Sequence, residues 1–353
     1  MSRLAIKTLA AALVLVTATA SRPDLHAQQP VQSFAFGVFG DHAYKPEQEP
    51  QLENLLVDIN RINRATPLAF VVNIGDLGSP KHKSCTNEFM QRRYRQFQTL
   101  ELPLIYTPGD NDWTDCHGPD VVSEGSPRDR LDALRKIFFA DEGSLGHPAL
   151  ALTRQSQGQD KGSILAKYRE NARWDFGGIT FVTLHVVGSN NNRESNKSGG
   201  DEFNERNKAN LDWLHEGFTH AVAVRSRAIV IFQQANMYPE FTPFTGEGKK
   251  QTAAVAKSPP TGYVDMRHAL EKEAKAFENP VVLVHGDSHY FRVDRPYMWR
   301  RHPEGYPVIE NVTRVETFGE PYHHWVSAVA DLADPNVFTF RPRIVVANRG
   351  LAK

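Results

Sequence analysis

The chain has 353 residues, room for one large domain or two smaller ones, and carries 41 basic and 41 acidic side chains. A formal net charge of zero excludes the broad electrostatic footprint with which a protein holds nucleic acid. Apolar content of 40% is that of a globular protein, and 22 prolines with 24 glycines point to many ordered loops.

The N-terminus has the layout of a secretory signal: Arg3 and Lys7, then an apolar stretch over residues 9–16, then small residues. Residues 1–27 are expected to be a signal peptide, cleaved after Ala20 or Ala27, and residues 28–353 a single domain that is periplasmic or extracellular. The apolar run is well short of the roughly 20 residues a membrane span needs, and no other stretch offers one. Cys85 and Cys116 are the two cysteines. In an exported chain they are expected to pair and tie two loops together; two buried free thiols are the alternative.

After Gln28, strand and helix signals alternate. Ser33–Phe39 reads as a buried strand, and Leu52, Leu55, Leu56, Ile59 and Ile62 recur at helical spacing. Residues 68–74 predict a second strand, 89–97 a helix and 102–106 a third strand. Ser126-Pro127 opens another helix, with serine as cap and proline in the first turn. Residues 164–168 and 172–176 suggest a hairpin, 179–187 a long strand, and 188–201 a polar surface loop. A helix containing Leu211 and Leu214 leads to a strand over 228–232. A long loop over 240–260 and a helix over 264–277 follow. The tail reads as strands over 308–312, 313–318, 324–329 and 337–340. This order predicts an α/β fold, a four-layer α/β/β/α sandwich of two mixed sheets flanked by helices.

Four apolar runs end in Gly-Asp: Gly40-Asp41, Gly75-Asp76, Gly109-Asp110 and Gly286-Asp287, the last followed by Ser288-His289. Loops beyond the carboxyl ends of the strands are where such folds build their sites. Carboxylates gathered there would repel unless cations sat between them, and paired metal ions are the usual agents of displacement at phosphorus.

In order and context these motifs resemble the calcineurin-like metallophosphoesterases, which include the purple acid phosphatases. The resemblance covers roughly residues 33–292. Gly40-Asp41 and Gly75-Asp76 match the first two motifs. Gly109-Asp110-Asn111-Asp112 stands where Gly-Asn-His-Asp is expected, Gln234 in place of a lone histidine, and Gly286-Asp287-Ser288-His289 in place of Gly-His-x-His. The resemblance implies Asp76 bridging two divalent ions, Asp41 and His289 on the first, and Asp110, Gln234 and Asp287 on the second. It also implies hydrolysis of a small phosphomonoester or phosphodiester by a metal-bound hydroxide. Oxygen ligands in place of imidazoles favour manganese, magnesium or calcium over zinc, with iron a further option. Asn111 replaces the histidine that assists the leaving group; an amide donates a hydrogen bond but delivers no proton. His42, Asp112 and His117 are the nearby candidates for that role, and Tyr44 is a candidate phenolate. The alternative is a non-catalytic, metal-stabilised binding protein on the same fold. His185, His285 and Trp113 are expected to be supporting or core residues, and residues 190–192 a turn.

Overall fold

In the computed structural model the described residues are 32–160, 162–193, 200–238, 261–298 and 308–352. The expected signal peptide and the loop over 240–260 lie outside them, and no helix among them is long and apolar enough to cross a membrane. The strands are β1 (Ser33–Phe39), β2 (Leu68–Asn73), β3 (Leu104–Tyr106), β4 (Thr153–Arg154), β5 (Ala172–Phe176), β6 (Ile179–Thr183), β7 (Ile229–Phe232), β8 (Val281–His285), β9 (Arg292–Asp294), β10 (Val312–Glu316), β11 (Trp325–Asp331) and β12 (Phe338–Arg343). The main helices are α1 (Glu49–Ala65), α2 (Asn87–Phe97), α3 (Pro127–Phe138), α4 (Gly200–Ala223) and α5 (Val264–Phe277).

Local chemistry explains where several of these begin. Ser126 accepts the Asp129 N–H while the Asp129 carboxylate accepts the Ser126 N–H, so α3 starts in a capping box with Pro127 in its first turn. Thr86 caps α2 through the Phe89 N–H.

The strands form a five-stranded sheet, β12-β11-β1-β2-β3, and a seven-stranded sheet, β4-β5-β6-β7-β8-β10-β9. Both are mixed. In the first, β1, β2 and β3 run parallel and β11 antiparallel to β1; in the second, β6, β7, β8 and β10 run parallel. Helices α1, α2 and α3 cover the outer face of the first sheet through Leu55, Ile59, Phe97 and Leu134. Helices α4 and α5 cover the second through Leu214, Phe218, Leu270 and Ala274. Between the sheets lies an aromatic core: the Phe36 ring is 5.2 Å from Phe70 and 5.5 Å from Phe181, and Trp174 stacks on Phe181 at 5.4 Å. The result is the expected four-layer sandwich.

Three local expectations are corrected. Residues 164–168 do not form a hairpin strand; Ser163 caps the Leu165 N–H and starts a short 3-10 turn, Ile164–Lys167. The partner of β5 is β6, joined through Gly177 and Gly178, both at positive φ (54° and 76°), the two-residue turn that suits a twisted hairpin. The long strand expected over 179–187 stops at Thr183, and 308–312 is not a strand, its last residue opening β10.

Parallel strands β1, β2, β3, β7 and β8 all point their carboxyl ends to one edge of the sandwich, and the Gly-Asp turns follow directly. Removing the ring at the centre of the aromatic core should open a cavity that the packed sheets cannot close. Phe36→Ala is expected to lower unfolding free energy by ~3–5 kcal/mol, read from the denaturant midpoint.

Candidate metal centre

The ladder continues past the strand ends and fixes the turns against one another. Asp41 N–H donates to the Gly75 carbonyl at 3.0 Å, and Gly286 N–H to the Gln234 carbonyl at 3.0 Å. Across the two sheets, the Asp287 N–H donates to Asp41 Oδ1 at 3.1 Å and the Glu320 N–H to the Asp41 carbonyl at 2.8 Å. Asp41, Asp76, Asp110 and Asp287 are thereby gathered at one place, with Asp112 beneath them. Asp41, Asp76, Asp287 and His289 all have left-handed backbone, φ 56°, 53°, 74° and 60°. Side chains beyond glycine pay for that conformation, Asp and Asn least, and such strain concentrates at functional sites.

Electrostatics report the crowding. Burial, then the charges of Asp110, Asp41 and Asp112, push the Asp76 carboxyl well above its usual range. Burial and then Asp110 do the same to Asp287. Burial and then Asp115 push Asp110 up to about 7. The Tyr44 hydroxyl sits inside this field, donating to Asp76 Oδ2 at 2.6 Å, with Asp41 Oδ1 at 3.5 Å and His289 Nε2 at 3.2 Å. Burial and then Asp76 raise it far above the ordinary phenol value, so here it is a phenol and a donor. His289 is oriented through Nδ1, which donates to the Glu320 carbonyl at 2.8 Å, and Nε2 faces Asp41 Oδ1 at 3.6 Å. Burial opposes its charge, but Asp41 outweighs burial and lifts it to about 9.

The remaining expected residues fall into place around this centre. Asp112 is almost fully enclosed by donors: the N–H groups of Asp76 (3.1 Å), Leu77 (2.7 Å) and Gly109 (2.8 Å) and the Tyr106 hydroxyl (2.8 Å). It pins the second Gly-Asp turn to the third. Asn111 donates its N–H to Asp76 Oδ1 at 3.1 Å, while its side-chain amide, half-buried, has no hydrogen-bond partner among the described residues. His42 turns to the other side, bonding the His324 carbonyl through Nε2 at 2.9 Å and stacking on Phe39. Burial, then His323, hold it well below the usual imidazole value, so it is neutral. His117 is exposed. Gln234 accepts the Gly188 N–H on Oε1 at 2.6 Å. Cys85 and Cys116 are joined by a disulfide, which ties the loop after Asp76 to the loop after Asp112.

Trp113, His185 and His285 are fully buried. Trp113 donates its indole N–H to His185 Nε2 at 3.0 Å, and His185 Nδ1 donates to Glu170 at 2.8 Å. Glu170 also takes a two-pronged bond from Arg135, at 3.0 and 2.5 Å. Burial would raise this carboxyl; Arg135 and His185 outweigh burial and hold it well below the usual range.

Residues 188–192 are the clearest surprise. In place of an exposed loop, Gly188, Asn191 and Asn192 are buried and Ser189 to Asn192 take four successive left-handed conformations, φ 49°, 54°, 55° and 58°. The signal was in the sequence: asparagine tolerates this region better than other residues. The turn is held by Arg206, buried beneath it, whose guanidinium donates to the Asn191 carbonyl at 2.9 Å and side chain at 2.6 Å. It delivers the Ser189 hydroxyl to Asp110 Oδ2 at 2.8 Å.

Among the described residues no group of three or more His, Cys, Asp or Glu side chains is arranged to hold a metal ion. The donors are instead engaged with Tyr44, Ser189 and one another. Their chemistry nevertheless fits a hard divalent cation: the carboxylates are acceptors short of positive charge, and Asp41 Oδ2 is buried without any partner.

No protein-family model matches the chain, and no curated protein matches it in sequence. In structure it is similar to GAP50, the anchor in the inner membrane complex of Plasmodium, at 9% identity over 88% of this chain and 89% of that one, TM-score 0.46. It is also similar to a 5'-nucleotidase from Candida albicans, at 9% identity over 88% of this chain but 50% of that one, TM-score 0.42.

The Glu170 cluster gives a pH signature. A carboxylate held low in the fold stabilises it fully above its unfolded value, and that contribution is lost as pH falls below the ordinary value of about 4.5 toward the folded one. Urea midpoints taken from pH 7 to pH 3 are therefore expected to fall less steeply at the acid end in Glu170→Gln than in the parent, although the variant starts less stable.

Proposed function

We propose that the chain is an exported, metal-dependent phosphoesterase acting on a small phosphomonoester or phosphodiester. The observation that carries this reading is the convergence of Asp41, Asp76, Asp110, Asp287 and His289 at one edge of the sandwich, four of the five on strained left-handed backbone. Crowded, buried carboxylates of this kind are tolerable only with protons or cations among them. Asp76 would be shared between two ions, with Asp41 and His289 available to one and Asp110 and Asp287 to the other. Manganese, magnesium or calcium suits this donor set better than zinc, and iron is a further option.

Bound cations would supply an activated water and neutralise charge developing on the phosphoryl group. The protein's own residues prepare the place. Asp112 locks the Asp76 and Gly109 turns together, so two ligands move as one body. The Glu320 carbonyl fixes the His289 ring with Nε2 toward Asp41. Tyr44 donates to Asp76 and would have to release that bond for Asp76 to hold a cation with the same oxygen. Asn111 holds Asp76 through its N–H and leaves its amide free to donate to a substrate oxygen.

Among the described residues, none of the expected candidates is placed to give a proton to the leaving group. Asn111 has none to give, His42 is spent on the His324 carbonyl and Asp112 on four donors. The enzyme reading therefore implies preference for leaving groups stable as anions. The same observation favours the second reading, a non-catalytic binding protein that takes up metal to relieve its buried charge.

Chelator-stripped protein is expected to rise in Tm on adding manganese, and Asp76→Asn to lose most of that rise. With metal, turnover of Asp76→Asn should fall by more than about 100-fold. Aryl phosphate esters should be cleaved about 10²–10⁴ times faster than alkyl esters, the factor a missing general acid commands. A Tm rise with no turnover of any ester would establish the binding reading; no response to any divalent metal would sink both.

A further inference from the structure

We propose that Gln234, rather than serving as a metal ligand, is a binding residue whose side-chain amide N–H grips an anionic oxygen of the phosphoryl group. The inference rests on the phosphoesterase reading above and assigns one residue a role within it.

The argument starts from the two ends of the amide. Gln234 Oε1, the atom through which a glutamine ligates a metal, accepts the Gly188 N–H at 2.6 Å. A backbone N–H bonds only to an acceptor, so the amide's orientation is fixed by that contact. Nε2 is then buried and has no hydrogen-bond partner. Gln234 is fully buried, so bulk solvent does not satisfy this donor. Orphaned buried donors are rare and costly, and one that persists asks for an acceptor.

Its position is bracketed by two glycines. A Cβ on Gly109 would stand 2.8 Å from Gln234 Cγ and 2.1 Å from Asp76 Oδ1. A Cβ on Gly188, the residue that holds Oε1, would stand 2.7 Å from Asp110 Oδ2. The Gln234 side chain therefore lies beside the Asp76 carboxylate, and the glycine that holds its Oε1 packs against the Asp110 carboxylate. Its backbone is anchored on both sides, with the N–H on the Val186 carbonyl at 3.2 Å and the carbonyl on the Gly286 N–H at 3.0 Å.

The second orphan in the same centre has the opposite polarity. Asp41 Oδ2 is a buried acceptor with no donor. A cation satisfies Asp41 Oδ2 and cannot satisfy an N–H; an anionic oxygen satisfies Gln234 Nε2 and cannot satisfy a carboxylate. An occupant that meets both demands carries a cation at one end and an anionic oxygen at the other, which is a phosphoryl group bound beside metal.

The test separates metal binding from anion binding, using manganese and inorganic phosphate as probes and calorimetry as the readout. In Gln234→Leu, manganese affinity and stoichiometry are expected to stay within about threefold of the parent. Phosphate affinity of the manganese-loaded protein should fall about 10- to 100-fold, the range for a lost hydrogen bond to a charged group. Gln234→Glu keeps an oxygen for Gly188 and guards against misfolding of the leucine variant. It too should retain manganese and lose phosphate. A fall in manganese affinity of tenfold or more in Gln234→Leu, with phosphate affinity of the loaded protein unchanged, would overturn the proposal. So would failure of the loaded parent to bind phosphate. If parent and variants behave as expected yet the parent hydrolyses no ester, the phosphoesterase reading fails and the role of Gln234 in anion binding stands.

Discussion

The constraint on which this molecule turns is the crowding of carboxylates where its two sheets meet. Asp41, Asp76, Asp110 and Asp112 are buried and Asp287 is half-buried around one edge of the sandwich, and most of them are pushed upward in pKa by burial and by each other. Like charges in a poorly solvated space cannot coexist without compensation. Compensation here is divided. Asp112 is satisfied by backbone N–H groups and Tyr106, at the level of the fold. Asp41, Asp76 and His289 share Tyr44, at the level of the site. The first arrangement is permanent, because unfolding two turns would be needed to undo it. The second is a set of three contacts converging on one hydroxyl, and a ligand can replace it.

The backbone bears the strain that the site demands. Holding Asp41, Asp76, Asp287 and His289 at positive φ costs about 1–3 kcal/mol at each position. The long-range ties explain why the conformation survives: Asp41 is held at its N–H by Gly75, at its carbonyl by Glu320 and at its carboxylate by Asp287. The first sheet thus supplies the residue and one restraint, and the turn after β8 of the second sheet supplies another. A cluster assembled across two sheets depends on the aromatic core between them, so Phe36, Phe70 and Phe181 belong to the site's support.

Much of this was legible in the chain. Periodicity located α1, α3 and α5, and apolar runs ending in Gly-Asp marked the strands and the edge at which they deliver side chains. The two-layered sheet arrangement followed from the alternation and the β-rich tail. What could not be read were features that depend on partners far away. Residues 164–168 have a strand-like pattern, but Ser163 closes a local turn and the Gly177-Gly178 pair gives β5 its true neighbour in β6. His42, adjacent to Asp41 in sequence, faces the opposite way because left-handed Asp41 and Ala43 flank it. The Arg135–Glu170–His185 chain joins residues from α3, a loop and the segment that follows β6, and no local pattern announces it.

Asparagines 190–192 hold the last connection. Four consecutive left-handed residues cost about 1–2 kcal/mol each in ordinary side chains and less for asparagine, so such a turn is kept only where something depends on its shape. A right-handed turn would point Gly188 and Ser189 differently relative to the preceding strand end. The left-handed one, clamped by Arg206 on one side and by the Tyr263 hydroxyl on Val187 on the other, directs the Gly188 N–H to Gln234 and the Ser189 hydroxyl to Asp110. Those two contacts settle which way an amide faces and where a carboxylate sits. Arg206 in turn lies over the Trp113 ring, which follows Asp112 directly, so the turn and the third Gly-Asp loop are built on the same buried guanidinium. Displacing that guanidinium would therefore disturb Gln234 and Asp110 together, and the two belong to one mechanical unit.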